Sequence, residues 1–367
     1  MFVCGSHQGT TRGVDRGPSL AENSSPRSSE SGLKANELTR PTQNRPNDAS
    51  ATSTRRRASL SSFGIRAGRT VALFVCLTHV LIGCADEATS QAEDREVTRD
   101  FPLALYKLHK KPEMRRKLPK TLHEISGLAV ASDGRLLAHD DERGIVYELN
   151  VKKGKIEKTF FLGRDVVTAD FEGIAVAEGA IFLVTSGGTL YEAREGEDGE
   201  HVDYRTRDSG IGDVCEVEGL EFDPLDLVLL LACKTTRGSE FENSVAIFRW
   251  SLVDKRLATP PFIRVAEDRI REYMPTKGFH PSGIARHPAS GNYFLLSGRD
   301  HAVVEITPSG VPVGATQLKS RRHPQAEGIA IDVGDVGDFD VVISDEGEDG
   351  RARLARYRAR KRDVRED

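Results

Sequence analysis

Five copies of one short phrase constrain this chain more than any other feature. A glycine preceded by Ser or Glu, and followed by strand-forming residues, occurs in EISGLAV (124–130), DFEGIAV (170–176), EVEGLEFD (216–223), HPSGIARH (280–287) and QAEGIAID (325–332). The repeated glycines are Gly127, Gly173, Gly219, Gly283 and Gly328, at spacings of 46, 46, 64 and 45. Each phrase leads into a turn and a second apolar run, as in SDGRLLAHD or HPASGNYFLLSG, and further short runs follow. About 45 residues holding roughly four strands is the length of one propeller blade. An all-β, five-bladed β-propeller over residues 101–360 is therefore expected. The long gap between Gly219 and Gly283 is an insertion or a degenerate sixth blade, and its AEDRIREYM (266–274) is the one helical signal. FPLALYKLHKK (101–111) precedes the first phrase and is expected to supply the outer strand of the last blade, so that few sheet edges stay open. Residues 361–367 are a charged tail.

A ring of inner strands crowds its axis, and glycine permits the close approach. The preceding residues then rim the central channel: Ser126, Glu172, Glu218, Ser282 and Glu327. Buried carboxylates need partners. A hard cation such as Ca2+, which takes 6–8 oxygen ligands, would hold Glu172, Glu218 and Glu327 together. Hydrogen bonds to neighbouring backbone, or an arginine, are the alternative. His123, His280 and His323 also precede glycines, but at unequal offsets, which argues against a shared ring of ligands. His123 and His323 are candidate bases if the ion serves hydrolysis. Asp140-Asp141-Glu142 and Ser344-Asp345-Glu346 follow second strands, either as turn-forming acids or as further acids of the same mouth. No G-x-S-x-G, P-loop or H-E-x-x-H motif is present.

The phrases together, with LPKTLHEISGLAV and the SDE at 344–346, resemble the SdiA-regulated (YjiK-like) β-propeller family, from about Tyr106 to Tyr357. The resemblance implies a five-bladed propeller, distantly related to NHL-repeat propellers, with a bound calcium ion and no established activity. It carries the ion-binding role onto Glu172, Glu218 and Glu327. His280-Pro281-Ser282 lacks an acid and departs from that pattern.

The first quarter has a different character. Residues 1–65 are rich in Ser, Arg, Asn, Thr and Pro and read as disordered, or as lying ahead of the true start. Arg66 and Arg69 then flank a mostly apolar run, 71–82, that is too short to span a bilayer. The run ends in Leu81-Ile82-Gly83-Cys84, which resembles the lipobox of bacterial lipoproteins. Residues 66–83 are thus expected to be a signal peptide, Cys84 the lipidated residue and 84–100 a polar tether. This implies a protein anchored in the cell envelope through its N-terminal lipid, at the outer membrane facing the periplasm. In such a compartment Cys215 and Cys233, which flank a hairpin at equal offsets from Pro224, form either a disulfide or two buried thiols. The whole chain has 52 Lys+Arg and 56 Asp+Glu. Residues 1–84 hold 11 and 5 of these, which leaves 41 against 51 in the rest. An acidic body argues against nucleic acid as partner; a small ligand or an envelope protein is expected instead. The two readings of function are a calcium-binding module and a metal-dependent hydrolase of phosphoesters or lactones.

Overall fold

A computed structural model describes residues 103–333, 338–347 and 350–360. The expected disorder of 1–65, the signal peptide 66–83, Cys84 with its tether and the tail 361–367 lie outside the described residues. No helix among the described residues is long and apolar enough to cross a membrane.

The strands form five antiparallel four-stranded sheets, and their innermost strands neighbour one another in a closed ring. The chain is a five-bladed β-propeller. Blade 1 comprises Ile125–Val130, Leu136–Asp140, Ile145–Asn150 and Lys155–Leu162. Its outer edge is extended by a two-residue parallel strand, His201–Val202, that arrives from blade 2. Blades 2, 3, 4 and 5 begin with Phe171–Ala177, Cys215–Asp223, Gly283–Arg286 and Ala326–Val333. Each of the five phrases thus supplies one innermost strand. The long third gap adds no blade. It lengthens the outer strand of blade 3, Arg256–Ala266, and continues into the short helix Glu267–Arg271.

Ring closure is where the sequence expectation fails. The outer strand of blade 5 is Met114–Lys117, paired with Arg353–Arg356, and not the 101–111 segment. Within that segment Leu103–Tyr106 forms a 3-10 turn instead. Leu103, Tyr106 and Leu108 are all buried, and they pack with Phe294 of blade 4 and Tyr357 of blade 5. The spacing of these apolar residues suits a plug between blades better than an alternating strand. The Leu103 N–H donates to Glu305 Oε2 at 2.8 Å, and the Tyr106 hydroxyl is 2.7 Å from His287 Nε2. MRRK carries no strand signature of its own; backbone pairing alone makes it a strand.

Five apolar clusters each sit between two neighbouring blades. Trp250, for example, is fully buried between blades 2 and 3. Burial of a large apolar side chain contributes about 1.5–3 kcal/mol, so stability resides mainly in the contacts between blades. Cys215 and Cys233 are joined in a disulfide. They are not directly opposite, because the hairpin turns between Asp223 and Val228 and sets Cys233 against Val217. A register shift at Glu216–Gly219 leaves the two cysteines as diagonal neighbours, with Cα atoms 5.5 Å apart.

The phrase glycines answer to sterics. A Cβ on Gly173 would lie 2.7 Å from the backbone N of Leu220 and 3.1 Å from the carbonyl carbon of Gly219, on the next blade. Neither atom can move without shifting an inner strand. Gly173→Ala is therefore expected to destabilise the fold by about 2 kcal/mol, lowering the melting temperature by roughly 4–8 °C. Gly187 has open space around it and an ordinary φ. Gly187→Ala serves as the control and is expected to stay within about 0.5 kcal/mol of the parent. Equal melting points for the two variants would contradict this account.

Candidate functional site

In four of the five blades the inner strand is irregular around the phrase glycine. Register shifts fall between Ile125 and Leu128, Phe171 and Gly173, Glu216 and Gly219, and Ala326 and Ile329. A bulge re-aims the side chain at its centre. Here it turns Ser126, Glu172, Glu218 and Glu327 toward the axis, where they line one mouth of the channel. Deeper in, the five glycines and the apolar residues after them pinch the channel to about 10 Å3. The mouth itself is a cup of about 150 Å3.

Three further acids share this cup: Glu124, Asp141 and Glu346. Asp141 and Glu346 come from the two acidic turns, so those turns feed the mouth. Their neighbours do not: Asp140 pairs with Arg143 at 2.7 Å and Asp345 with His323 at 3.0 Å, all away from the cup. Ser282, the fourth phrase residue, donates to the carbonyl of Ala326 and accepts from the N–H of Gly298. It clamps blade 4 to blade 5.

The cup also holds a residue the sequence reading missed. Lys234 lies near the end of the second strand of blade 3, Val228–Thr236, and its ammonium donates to Glu218 Oε1 at 2.7 Å. Burial pushes the Glu172 carboxyl up to about 9, with Glu218, Asp170 and Glu327 adding repulsion. Burial, then Glu218 and Glu346, push Glu327 up to about 8. Asp141 is raised to about 7 by burial and by Glu124, Asp140 and Glu346. Burial raises Glu218 as well, and the Lys234 ammonium opposes that rise. Burial works to lower Lys234, but Glu218, Glu216 and Glu327 outweigh it and hold the ammonium above its usual range.

The donor set fits calcium in kind: hard oxygens in excess, with Asp141 Oδ1 buried and unpartnered. As the side chains stand, no group of three or more His, Cys, Asp or Glu among the described residues is placed to hold a metal ion. Glu172, Glu218 and Glu327 would have to swing together, and Glu218 would have to leave Lys234.

The histidines separate. His323 is fully buried, with Nδ1 on Asp345 Oδ2 at 3.0 Å and Nε2 on the Tyr357 hydroxyl at 2.7 Å. Both nitrogens are occupied inside blade 5, so the expectation of His323 as a base at the channel is not met. His123 is half exposed, 3.6 Å from Glu124 Oε1, at the edge of the cup. His280 pairs with Asp300 beside a neighbouring cleft.

No family model and no curated protein matches the chain. Among solved structures, glutaminyl cyclase of Myxococcus xanthus aligns with a TM-score of 0.46 and 14% identity, covering 67% of this chain and 96% of that one. The PQQ-bound aldose sugar dehydrogenase of Streptomyces coelicolor aligns with a TM-score of 0.43 and 15% identity, over 67% and 100%. A virginiamycin B lyase of Staphylococcus aureus aligns with a TM-score of 0.35 and 11% identity, over 66% and 73%. Likeness at this level transfers no ligand and no chemistry.

Proposed function

We propose that this chain is a binding module of the cell envelope: a lipid-anchored β-propeller whose acidic channel mouth takes up calcium and presents a ligand- or protein-binding face. One observation carries the reading. Among the described residues, six carboxyl side chains surround a single small cup and one ammonium opposes them. Glu172, Glu218 and Glu327 would be the protein ligands, with Asp141 and Glu346 close enough in the cup to add charge. The ion would supply the positive charge that relieves their mutual repulsion. Anchorage rests on the lipobox around Cys84, and the buried Cys215–Cys233 disulfide suits an oxidising compartment.

The test is the melting temperature of the protein in calcium, in magnesium and in chelator. An ion that binds only the folded state stabilises it by about 2.7 kcal/mol at a hundredfold excess over Kd. A calcium-specific rise is expected. Lys234→Met removes the competing ammonium, so calcium should bind that variant more tightly, by about tenfold, the worth of one charged hydrogen bond. No rise in either protein would mean that protons and Lys234 balance the glutamates without an ion.

A pH series sharpens the test. The Glu172 and Glu327 carboxyls titrate at about 9 and about 8 in the folded chain, well above their unfolded values. Carboxyls raised in this way favour folding while protonated, and that advantage is lost as pH rises through the folded values. In chelator the melting temperature should therefore fall between about pH 7 and 9. Calcium, which needs the deprotonated forms, should flatten that fall and bind more tightly as pH rises. A melting temperature that is flat over this range in chelator would show that the cup does not hold its acids protonated.

A further inference from the structure

Beside the acidic cup lies a second, larger cavity of about 490 Å3. It is formed by the turn between the second and third strands of blade 3 and by the connection into blade 4. Lys234 lines both cavities, and Ser239, Phe241, Glu267, Phe279 and His280 line this one.

We propose that this cleft is a hydrolytic site for small neutral carboxylic esters and lactones, with His280 as general base and Lys234 as the donor to the oxyanion. It does not depend on the calcium reading.

Asp300 holds His280 in place. Its Oδ2 accepts the backbone N–H of His280 at 2.8 Å and the Ser297 hydroxyl at 2.8 Å, and lies 3.1 Å from His280 Nδ1. The Asp300 N–H donates back to Ser297 Oγ at 3.0 Å, and Ser297 is fully buried. An oxygen that serves as acceptor to its other partners is an acceptor for Nδ1 too, so the proton sits on Nδ1. In the neutral imidazole the Nε2 lone pair is then free, and Nε2 has no hydrogen-bond partner among the described residues. The ring is a quarter exposed, on the cleft wall.

Blade 5 shows what a purely structural version of this pair looks like. There His323 meets Asp345 in the same way, but Tyr357 blocks Nε2 and the ring has no exposure. In blade 4 no such tyrosine meets the His280 ring, which keeps a quarter of its surface exposed.

Lys234 supplies the second element. One proton of its ammonium is held by Glu218, and the others have no partner among the described residues. Preorganised donors at a developing oxyanion are the main electrostatic lever in acyl transfer. Charge selects the substrate: Glu242 and Glu267 on the cleft wall repel phosphate dianions, while a neutral ester or lactone meets no such barrier. No hydroxyl or thiol is hydrogen-bonded to His280 Nε2, so the nucleophile is water. His280 Nε2 takes a proton from water as its oxygen bonds to the carbonyl carbon. The tetrahedral oxyanion faces Lys234. Collapse breaks the C–O bond, and the His280 proton goes to the leaving alkoxide. The products are an acid and an alcohol, or one hydroxy acid from a lactone.

The test uses the full chain with phenyl acetate and dihydrocoumarin, each assayed in chelator and in calcium. Turnover in chelator is expected. His280→Gln should lower kcat/KM at least about 100-fold, the usual worth of a general base. Asp300→Asn, at a positioning residue, should lower kcat with KM nearly unchanged. Nitrogen-15 NMR of the unaltered protein provides a readout independent of any variant's folding: in the neutral ring, Nδ1 of His280 should carry the proton and Nε2 should be bare. No turnover of either substrate above buffer, full activity in a folded His280→Gln variant, or a proton on Nε2 would each overturn the proposal. Calcium-dependent melting without turnover would leave the binding reading standing and remove this one.

Discussion

Deleting residues 103–117 from the otherwise full chain is expected to leave no cooperatively folded propeller. This stretch supplies the strand Met114–Lys117 that completes blade 5, and three buried side chains between blades 4 and 5. Leu103, Tyr106 and Leu108 are 1%, 2% and 0% exposed. Losing a buried side chain of that size costs about 2–5 kcal/mol. Three such losses come to about 6–15 kcal/mol, comparable with the roughly 5–15 kcal/mol that stabilises an ordinary domain. The deletion also bares the edge of Arg353–Arg358, and an open edge invites pairing between chains. Calorimetry with light scattering decides the matter. A single cooperative transition within about 5 °C of the parent would show that the ring holds without its closing strand.

Converting Cys215 and Cys233 together to serine should cost about 3 kcal/mol, the chain-entropy value for the 18-residue separation that the bond spans. For a domain of this size that is a fall in melting temperature of roughly 6–12 °C. Both sulfurs sit in the cluster between blades 2 and 3, so each serine hydroxyl also enters an apolar setting. Reduction of the parent should reproduce most of the shift. Identical midpoints for the parent, the reduced parent and the double variant would mean that the bond adds nothing to the folded state. The Cys215 strand also carries Glu218, so weaker calcium binding in the double variant is a second readout of the same change.

The propeller was legible because its geometry makes a demand that few residues meet. Inner strands pack so closely that glycine is required, and Gly173 against Leu220 shows how tightly. Five spaced glycines therefore count five blades. The rim glutamates could be read from their place beside those glycines, although the bulges that aim them could not. Other features are tertiary and leave no local trace. Met114–Lys117 reads MRRK and becomes a strand only through its partner, some 240 residues later. Lys234 lies near the end of an ordinary apolar strand, and nothing nearby in sequence shows that Glu218 lies opposite. His280 resembles any loop histidine until the turn of blade 4 brings Asp300 beneath it. The cysteine pair was open to reading through its hairpin, yet the turn is centred between Asp223 and Val228, beyond Pro224, which shifts the register that the simple count assumed.

The closing strand also imposes a wait. Met114–Lys117 leaves the ribosome before any other strand of the propeller, while Arg353–Arg358, its partner, comes last. Synthesis at about 5–20 residues per second puts roughly 12–50 s between the two. Through that interval four blades can form, but the fifth lacks its remaining strands and the ring stays open. A charged strand such as MRRK is suited to such a delay, since it has little apolar surface to misplace. A nascent chain that stalls before residue 353 would be a ring with a gap, and a substrate for chaperones and proteases.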